Sequence, residues 1–390
     1  MNQKERLNKN LIYLIFLFIG LNIQIFRGFY VYNFLVLTFL LLNYSQIRFS
    51  KINIFYFSLL SLSINLSILV QILYIESYGL DNFFIFLNML ILLTFIAFVE
   101  NIKYKTLNFS MILVFLLIPI MISIFMFHFT GLEQFFLSFY NVEKFPSFGR
   151  YGGVFGRDVN ALGIYASLMI LVIIIFKKYK KITNMLALLA ISLSFYAILL
   201  SGMRTGILVL FGLLIFFNYK LKLLNYKYIF IIISIFILFV LFIYSYDKMI
   251  QSLIDFMLTR FSVLHLIQDF TSKDAGNLHT ALEYFYKTLG NREINTLTLI
   301  FGIDSSLGFV DNFYIFSFLK YGFIFILALI LVVAILFIKS IKEKEVFDIF
   351  MIVFTLIIAI KGIFVMNNFY MIVVLFLIFF WRENENISRC

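Results

Sequence analysis

Three groups of residues have the types and spacing to hold an anion and to move a proton. The first is Arg150-Tyr-Gly-Gly-Val-Phe-Gly-Arg157-Asp158-Val-Asn160-Ala-Leu-Gly163. The second is Ser201-Gly-Met-Arg204-Thr205-Gly206, and the third is Asp311-Asn312-Phe-Tyr314, followed by Lys320 and Gly322. A guanidinium is a planar fork that meets phosphoryl oxygens two at a time, so arginines in such turns suit a phosphate or diphosphate. Asp158 and Asp311 suit the role of a base that activates or orients a hydroxyl. Each group also has a plainer reading. Arg204 either answers an anion, or snorkels to water or pairs with a carboxylate. Asp158 and Asn160 either serve a site or cap the helix that follows them. Lys320 and Lys361 either act on a substrate or snorkel along a helix.

Other chemistries lack their signatures. The sequence has no Asp-x-Asp to hold a divalent metal against a diphosphate and no P-loop, which disfavours nucleotide chemistry. His128, His265 and His279 do not stand at ligand spacing to one another or to a cysteine, so no metal site and no cofactor is expected. Gly149, Gly152, Gly153 and Gly156 lack the preceding strand of a dinucleotide fold and read as a turn. The chain has 54 Phe and 23 Tyr, too many to single out as sugar platforms, and only Tyr314 is named as a site neighbour.

The elements that must position these groups are membrane helices. Hydrophobic residues make up 63% of the chain and mean hydropathy is +1.03, values that no soluble core accommodates. Apolar runs of roughly 20 residues predict about twelve spans. They lie near 11–26, 29–47, 52–75, 83–99, 107–130, 159–176, 182–200, 205–219, 228–246, 312–338, 346–366 and 369–381. The expected fold class is an all-α polytopic membrane protein, a single integral membrane domain over 1–390.

Charge gives the expected orientation. Lys4, Arg6 and Lys9 precede the first span, which reads as an uncleaved anchor with the N-terminus in the cytoplasm. Alternating from there puts nineteen of the 31 Lys and Arg in short inside segments, with seven of the 20 acids, and both termini inside. The net charge of +11 is thus a topology signal, and nucleic acid is not an expected partner. The lone cysteine, Cys390, falls on the reducing side.

All three groups then face outside. The outside segments 131–158 and 247–311 are long, and long loops in compact membrane proteins carry function. Within the larger one, 249–268 and 278–289 have helical amphipathic periodicity. They are either packing helices or interfacial helices that roof a groove where a lipid head group meets water. The second stretch carries His279 and Glu283 as reserve candidates for a base.

At these residues the sequence resembles the bacterial O-antigen polymerase and O-antigen ligase superfamily of integral membrane glycosyltransferases. Asp158-Val-Asn160-Ala-Leu-Gly163 resembles that family's (Asn/Asp)-x-Asn-x-x-Gly element before a span. Ser201-Gly-Met-Arg204-Thr205-Gly206 resembles its small-residue-Arg-Thr turn. Asp311-Asn312-Phe-Tyr314 with Gly322 resembles its (His/Asp)-Asn-x-Tyr element and the glycine about ten residues later. The resemblance covers most of the chain as topology, and roughly 145–210 and 299–325 as motif.

The resemblance implies a GT-C-like architecture in the bacterial cytoplasmic (inner) membrane. It implies a polyprenyl-diphosphate-linked (undecaprenyl-type) oligosaccharide as donor, used on the periplasmic or outer face to build O-antigen or capsular polysaccharide. Flippase and chain-length regulator proteins of the same pathway are the implied partners, besides the lipid bilayer. A ligase is expected to have His where this chain has Asp311, so the departure favours a polymerase. An Arg-x10-Gly element of some polymerases has no clean match here. On this reading Arg204 and Arg157, with Arg150 in support, hold the diphosphate, and Asp158 or Asp311 activates the acceptor hydroxyl. Asn160, Asn312, Tyr314 and Lys320 stand beside the substrate. The alternatives are a ligase of the same superfamily and a flippase or transporter for the lipid-linked unit. A transporter predicts inverted repeats and polar groups through both leaflets, and the sequence has no convincing repeat.

Overall fold

The computed structural model describes residues 3–21, 24–26, 29–44, 51–74, 87, 91–92, 95, 106–129, 153–155, 159–201, 296–302, 313–343, 345–359 and 368–389. Nearly all of them are helical. In chain order the helices are α1 (Gln3–Leu21), α2 (Val31–Asn43), α3 (Lys51–Tyr74), α4 (Phe109–His128) and α5 (Val159–Lys178). They continue with α6 (Asn184–Ser201), α7 (Thr296–Phe301), α8 (Phe313–Lys342), α9 (Val346–Ala359) and α10 (Asn368–Arg389). A small antiparallel ribbon, β1 (Gln24–Phe26) with β2 (Phe29–Tyr30), joins α1 to α2, pairing Gln24 with Tyr30 and Phe26 with Phe29.

Among the described residues, four helices are long and apolar enough to cross a bilayer: Phe109–His128, Ala161–Lys178, Asn184–Ser201 and Ser317–Lys342. They coincide with four of the expected spans, and the chain is a helical membrane protein. The expected spans at 205–219 and 228–246 lie outside the described residues, and the one at 83–99 is described at four helical positions only. One boundary needs correction. The first helix runs Gln3–Leu21 rather than 11–26, because Lys4, Arg6 and Lys9 continue the helix and the ribbon takes residues 24–26. The last helix contains the expected span 369–381 and continues beyond it to Arg389 as a polar tail.

The described elements fall into two compact units: α4, the 3₁₀ turn Gly153–Phe155, α5 and α6 in one, and the rest of the helices in the other, apart from the tail of α1. In the α4–α6 unit, α5 is the central helix, with every residue from Ala161 to Phe176 buried. Asn108 caps α4 by accepting the Met111 N–H at 3.2 Å. Pro119 then removes one backbone bond from that helix. The Tyr165 hydroxyl of α5 donates to the neighbouring Leu116 carbonyl at 2.7 Å, and the Ser123 hydroxyl donates to the Pro119 carbonyl at 2.7 Å. The Lys-rich link from α5 to α6 turns tightly. The Lys181 N–H bonds the Phe176 carbonyl at 2.8 Å, and the Thr183 hydroxyl accepts the Leu186 N–H at 3.3 Å as the cap of α6. Lys181 also lies 5.3 Å from the centroid of the Phe109 ring.

In the other unit, α1 buries Ile12, Ile15, Phe16 and Ile19 along one helical stripe, and Phe16 meets Phe376 of α10 edge-on at 4.9 Å. Ile64 of α3 packs with Tyr321 and Phe325 of α8. Leu62, Leu66, Leu69 and Leu73 form an exposed stripe along α3, suited to acyl chains rather than water. Phe347 of α9 stacks on Trp381 of α10 at 4.5 Å. Beside it Arg382 donates twice to one oxygen of the buried Asp348 carboxylate, from Nε at 3.0 Å and from a terminal nitrogen.

That ion pair predicts an asymmetry. Asp348 is buried and Arg382 half-buried, so removing the arginine leaves a buried carboxylate uncompensated, at a cost of up to about 3–5 kcal/mol, whereas replacing both with apolar groups is nearly neutral. Arg382→Leu is expected to lower the unfolding midpoint in detergent sharply, and Asp348→Leu with Arg382→Leu to restore most of it. Equal loss in the single and double variants would mean that the pair is not what joins α9 to α10.

Candidate functional site

In the α4–α6 unit the first two sequence groups are anchored at the same end of the three helices. Gly153 opens the 3₁₀ turn with φ of +56°, and a side chain there would run into Ser123 of α4. The Val154 N–H donates to the Ser123 hydroxyl at 3.1 Å, so Ser123 accepts from the turn while donating to Pro119. Glycine is required by both the left-handed backbone and the close approach. A few residues on, α5 starts at Val159, with Asn160 in its first turn. The second group begins where α6 ends, at the buried Ser201, whose hydroxyl donates to the Ile198 carbonyl at 2.7 Å. Near this end His128 of α4 and Tyr196 of α6 share a hydrogen bond at 2.8 Å.

In the other unit the third group leads into an interrupted helix. Tyr314, in the first turn of α8, donates its hydroxyl to the Leu356 carbonyl of α9 at 2.9 Å. Lys320 follows, only 5% exposed although it carries a cation, with its ammonium 6.0 Å from the centroid of the Tyr321 ring. Gly322 then leaves the helix altogether, at φ 75° and ψ −174°. Any such break frees carbonyls of the preceding turn, and in a bilayer each must find a donor within the protein.

The donors come from α3. Gln71 gives its amide N–H groups to the Lys320 carbonyl at 2.6 Å and to the Phe301 carbonyl, at the end of α7, at 3.1 Å. Ser67 donates to the Tyr321 carbonyl at 2.6 Å. Both Gln71 partners are acceptors, which fixes its amide orientation. Gly302 ends α7 at φ +91°, and the backbones of 300–302 and 320–322 come so close that a Cβ on either Gly302 or Gly322 would collide with the other segment's main chain. The interruption, α7 and the two α3 side chains are therefore one structure. Within it Ser317, one turn before Lys320, has a buried hydroxyl with no hydrogen-bond partner among the described residues.

Of the residues singled out in the sequence, Lys320 belongs to this interruption, Tyr314 lies earlier in α8 and is bonded to α9, and Asn160 is placed by its backbone at the start of α5. Arg150, Arg157, Asp158, Arg204, His279, Glu283, Asp311 and Asn312 lie outside the described residues, as do the amphipathic stretches 249–268 and 278–289. Sequence reasoning missed Ser67, Gln71, Ser123 and the pair His128–Tyr196. A signal for two of them existed: Ser63, Ser67 and Gln71 recur every fourth residue, a polar stripe on an otherwise apolar helix. Among the described residues no three His, Cys, Asp or Glu side chains come together as a metal site.

No protein-family profile matches the chain, and no curated protein or solved structure matches it significantly.

The geometry at Gly322 predicts a ranking of variants. Gln71→Leu leaves two buried carbonyls without their donor, at about 1–3 kcal/mol each. Gly322→Ala adds a main-chain collision to an unfavourable left-handed conformation and is expected to be worse. Thermal unfolding in detergent should place native above Gln71→Leu above Gly322→Ala. A Gly322→Ala protein as stable as native would show that the helix is not broken there.

Proposed function

We propose that this chain is a membrane glycosyltransferase that polymerises lipid-linked oligosaccharide repeat units. It transfers the growing glycan from polyprenyl diphosphate onto a new lipid-linked unit at the outer face of the cytoplasmic membrane, for O-antigen or capsular polysaccharide. The observation that carries this reading is Lys320, a buried cation two residues before a helix interruption in a segment apolar enough to cross a membrane, directly after Asp311-Asn312-Phe-Tyr314. Ionisable groups buried within membrane segments are costly and are kept for function. The common end shared by the turn at 153–155, the start of α5 and the end of α6 supports it further, because the first two arginine-bearing groups attach there.

The chemistry needs no metal. The bond between the sugar's anomeric carbon and the diphosphate oxygen breaks, and the electron pair leaves with the diphosphate. The acceptor hydroxyl oxygen forms the new bond and gives its proton to a base. Arg204 and Arg157, supported by Arg150 and Lys320, offset the charge that develops on the leaving group. Asp158 or Asp311 takes the proton, with His279 and Glu283 in reserve, and Asn160, Asn312 and Tyr314 position the sugars. Both termini are cytoplasmic in this scheme.

A second reading, a carrier for the same lipid-linked unit, is favoured by the interruption at Gly322, since membrane carriers bind substrates at broken helices. A reaction in detergent separates the two, because micelles offer no second compartment. Purified protein given lipid-linked repeat units is expected to produce a ladder of lengthened glycans. Arg204→Ala should lower the rate by about 10²–10³-fold, the loss usual for one charge-stabilising donor. Arg204→Lys should also be impaired, since an ammonium lacks the bidentate fork. Repeat units left single in micelles but moved across vesicle membranes would replace the polymerase with the carrier.

A further inference from the structure

A second feature lies in the same unit as the interruption but at the far end of the contact between α3 and α8. The two helices are held together at Ser67–Tyr321 and in the cluster of Ile64, Tyr321 and Phe325. Toward the start of α3 and the end of α8 a groove of about 470 Å³ opens between them. Its apolar walls are Phe55 and Tyr56 on one side and Ile335 and Ile338 on the other, and Lys339 and Lys342, with Glu343, stand at its rim. Phe55 and Ile338 are each 52% exposed, an unusual amount of bare apolar surface if water faced them.

We propose that this groove binds an anionic phospholipid, with an acyl chain along the apolar walls and the phosphodiester between Lys339 and Lys342. The rim lies in the last turn of a helix long enough to span the membrane, which is the level of the head groups. Its charge is complementary to a single anion: two lysines face one carboxylate, and Glu343 sits 3.9 Å from Lys339. That balance leaves one net positive charge, which favours a head group of net charge −1 over a zwitterionic one. Basic pockets between membrane helices recognise anionic lipids in this way. A second copy of the chain is a poorer occupant. A two-fold contact through this groove would set Lys339 and Lys342 against their own counterparts.

The test uses the full chain in nanodiscs of equal phosphatidylglycerol and phosphatidylethanolamine, followed by native mass spectrometry of retained lipid. The native protein is expected to retain phosphatidylglycerol selectively. Lys339→Ala with Lys342→Ala should reduce that preference by about fivefold per lysine, with unfolding in zwitterionic lipid unchanged. Ile338→Trp, which fills the groove but keeps both lysines, should displace the lipid as well. Equal retention of the two lipids by the native chain would overturn the proposal, and so would undiminished preference in the double variant. Displacement by soluble glycerol phosphate would overturn it too, because an anion site would then suffice without the acyl groove.

Discussion

A polypeptide inside a bilayer has no water to satisfy its backbone, so each break in a helix must be answered by another part of the protein. At Gly322 the answer is explicit. The Lys320 and Tyr321 carbonyls are taken by Gln71 and Ser67, and Gln71 also takes the end of α7 through Phe301. One amide side chain thereby ties two segments of the sequence to a third. Lys320 is held where it is because its own carbonyl is one of the bonded groups. The same constraint explains why both crossing residues are glycines, since the main chains themselves make the contact.

The α4–α6 unit meets a smaller version of the problem. Pro119 lacks the N–H that a helix interior uses, and two hydroxyls bond carbonyls of the same stretch of α4. Tyr165 reaches in from α5, and Ser123 links the Pro119 carbonyl to the N–H of Val154. Ser123 thus becomes an attachment point for the turn that precedes α5. In both units a polar side chain on one helix holds irregular backbone of another segment, Ser123 at the 153–155 turn and Gln71 with Ser67 at Gly322. The lysine-bearing ends are simpler. Lys181 lies over Phe109, and Lys339 pairs with Glu343, as expected where helices leave the hydrocarbon.

Helices that are apolar throughout were legible in the sequence, and the spans expected at 107–130, 159–176, 182–200 and 312–338 all have counterparts in α4, α5, α6 and α8. Hydropathy reports an apolar run and not where hydrogen bonding stops. It therefore cannot see the ribbon at Gln24–Tyr30, the charged first turns of α1 or the polar tail of α10. Gly322 was visible as a motif residue, but a break at that position needs the partner segment ending at Gly302, which is twenty residues away in a loop. The polar stripe of Ser63, Ser67 and Gln71 was readable from spacing alone, and its meaning depended on knowing which carbonyls lacked donors. The arginines were legible only as residue types, and their chemistry belongs to the proposed function.

The central structural claim is that the end of α7 crosses α8 at Gly322 and is held there by α3. The lone cysteine makes a direct measurement clean: in a Cys390→Ser background, Leu299→Cys and Phe323→Cys place two thiols at exposed positions beside the crossing. A short bifunctional thiol reagent applied to the protein in lipid is predicted to link them efficiently, and to do so much less once Gln71→Leu and Ser67→Ala are added. No linkage in the folded protein, or the same linkage after both donors are removed, would contradict the account.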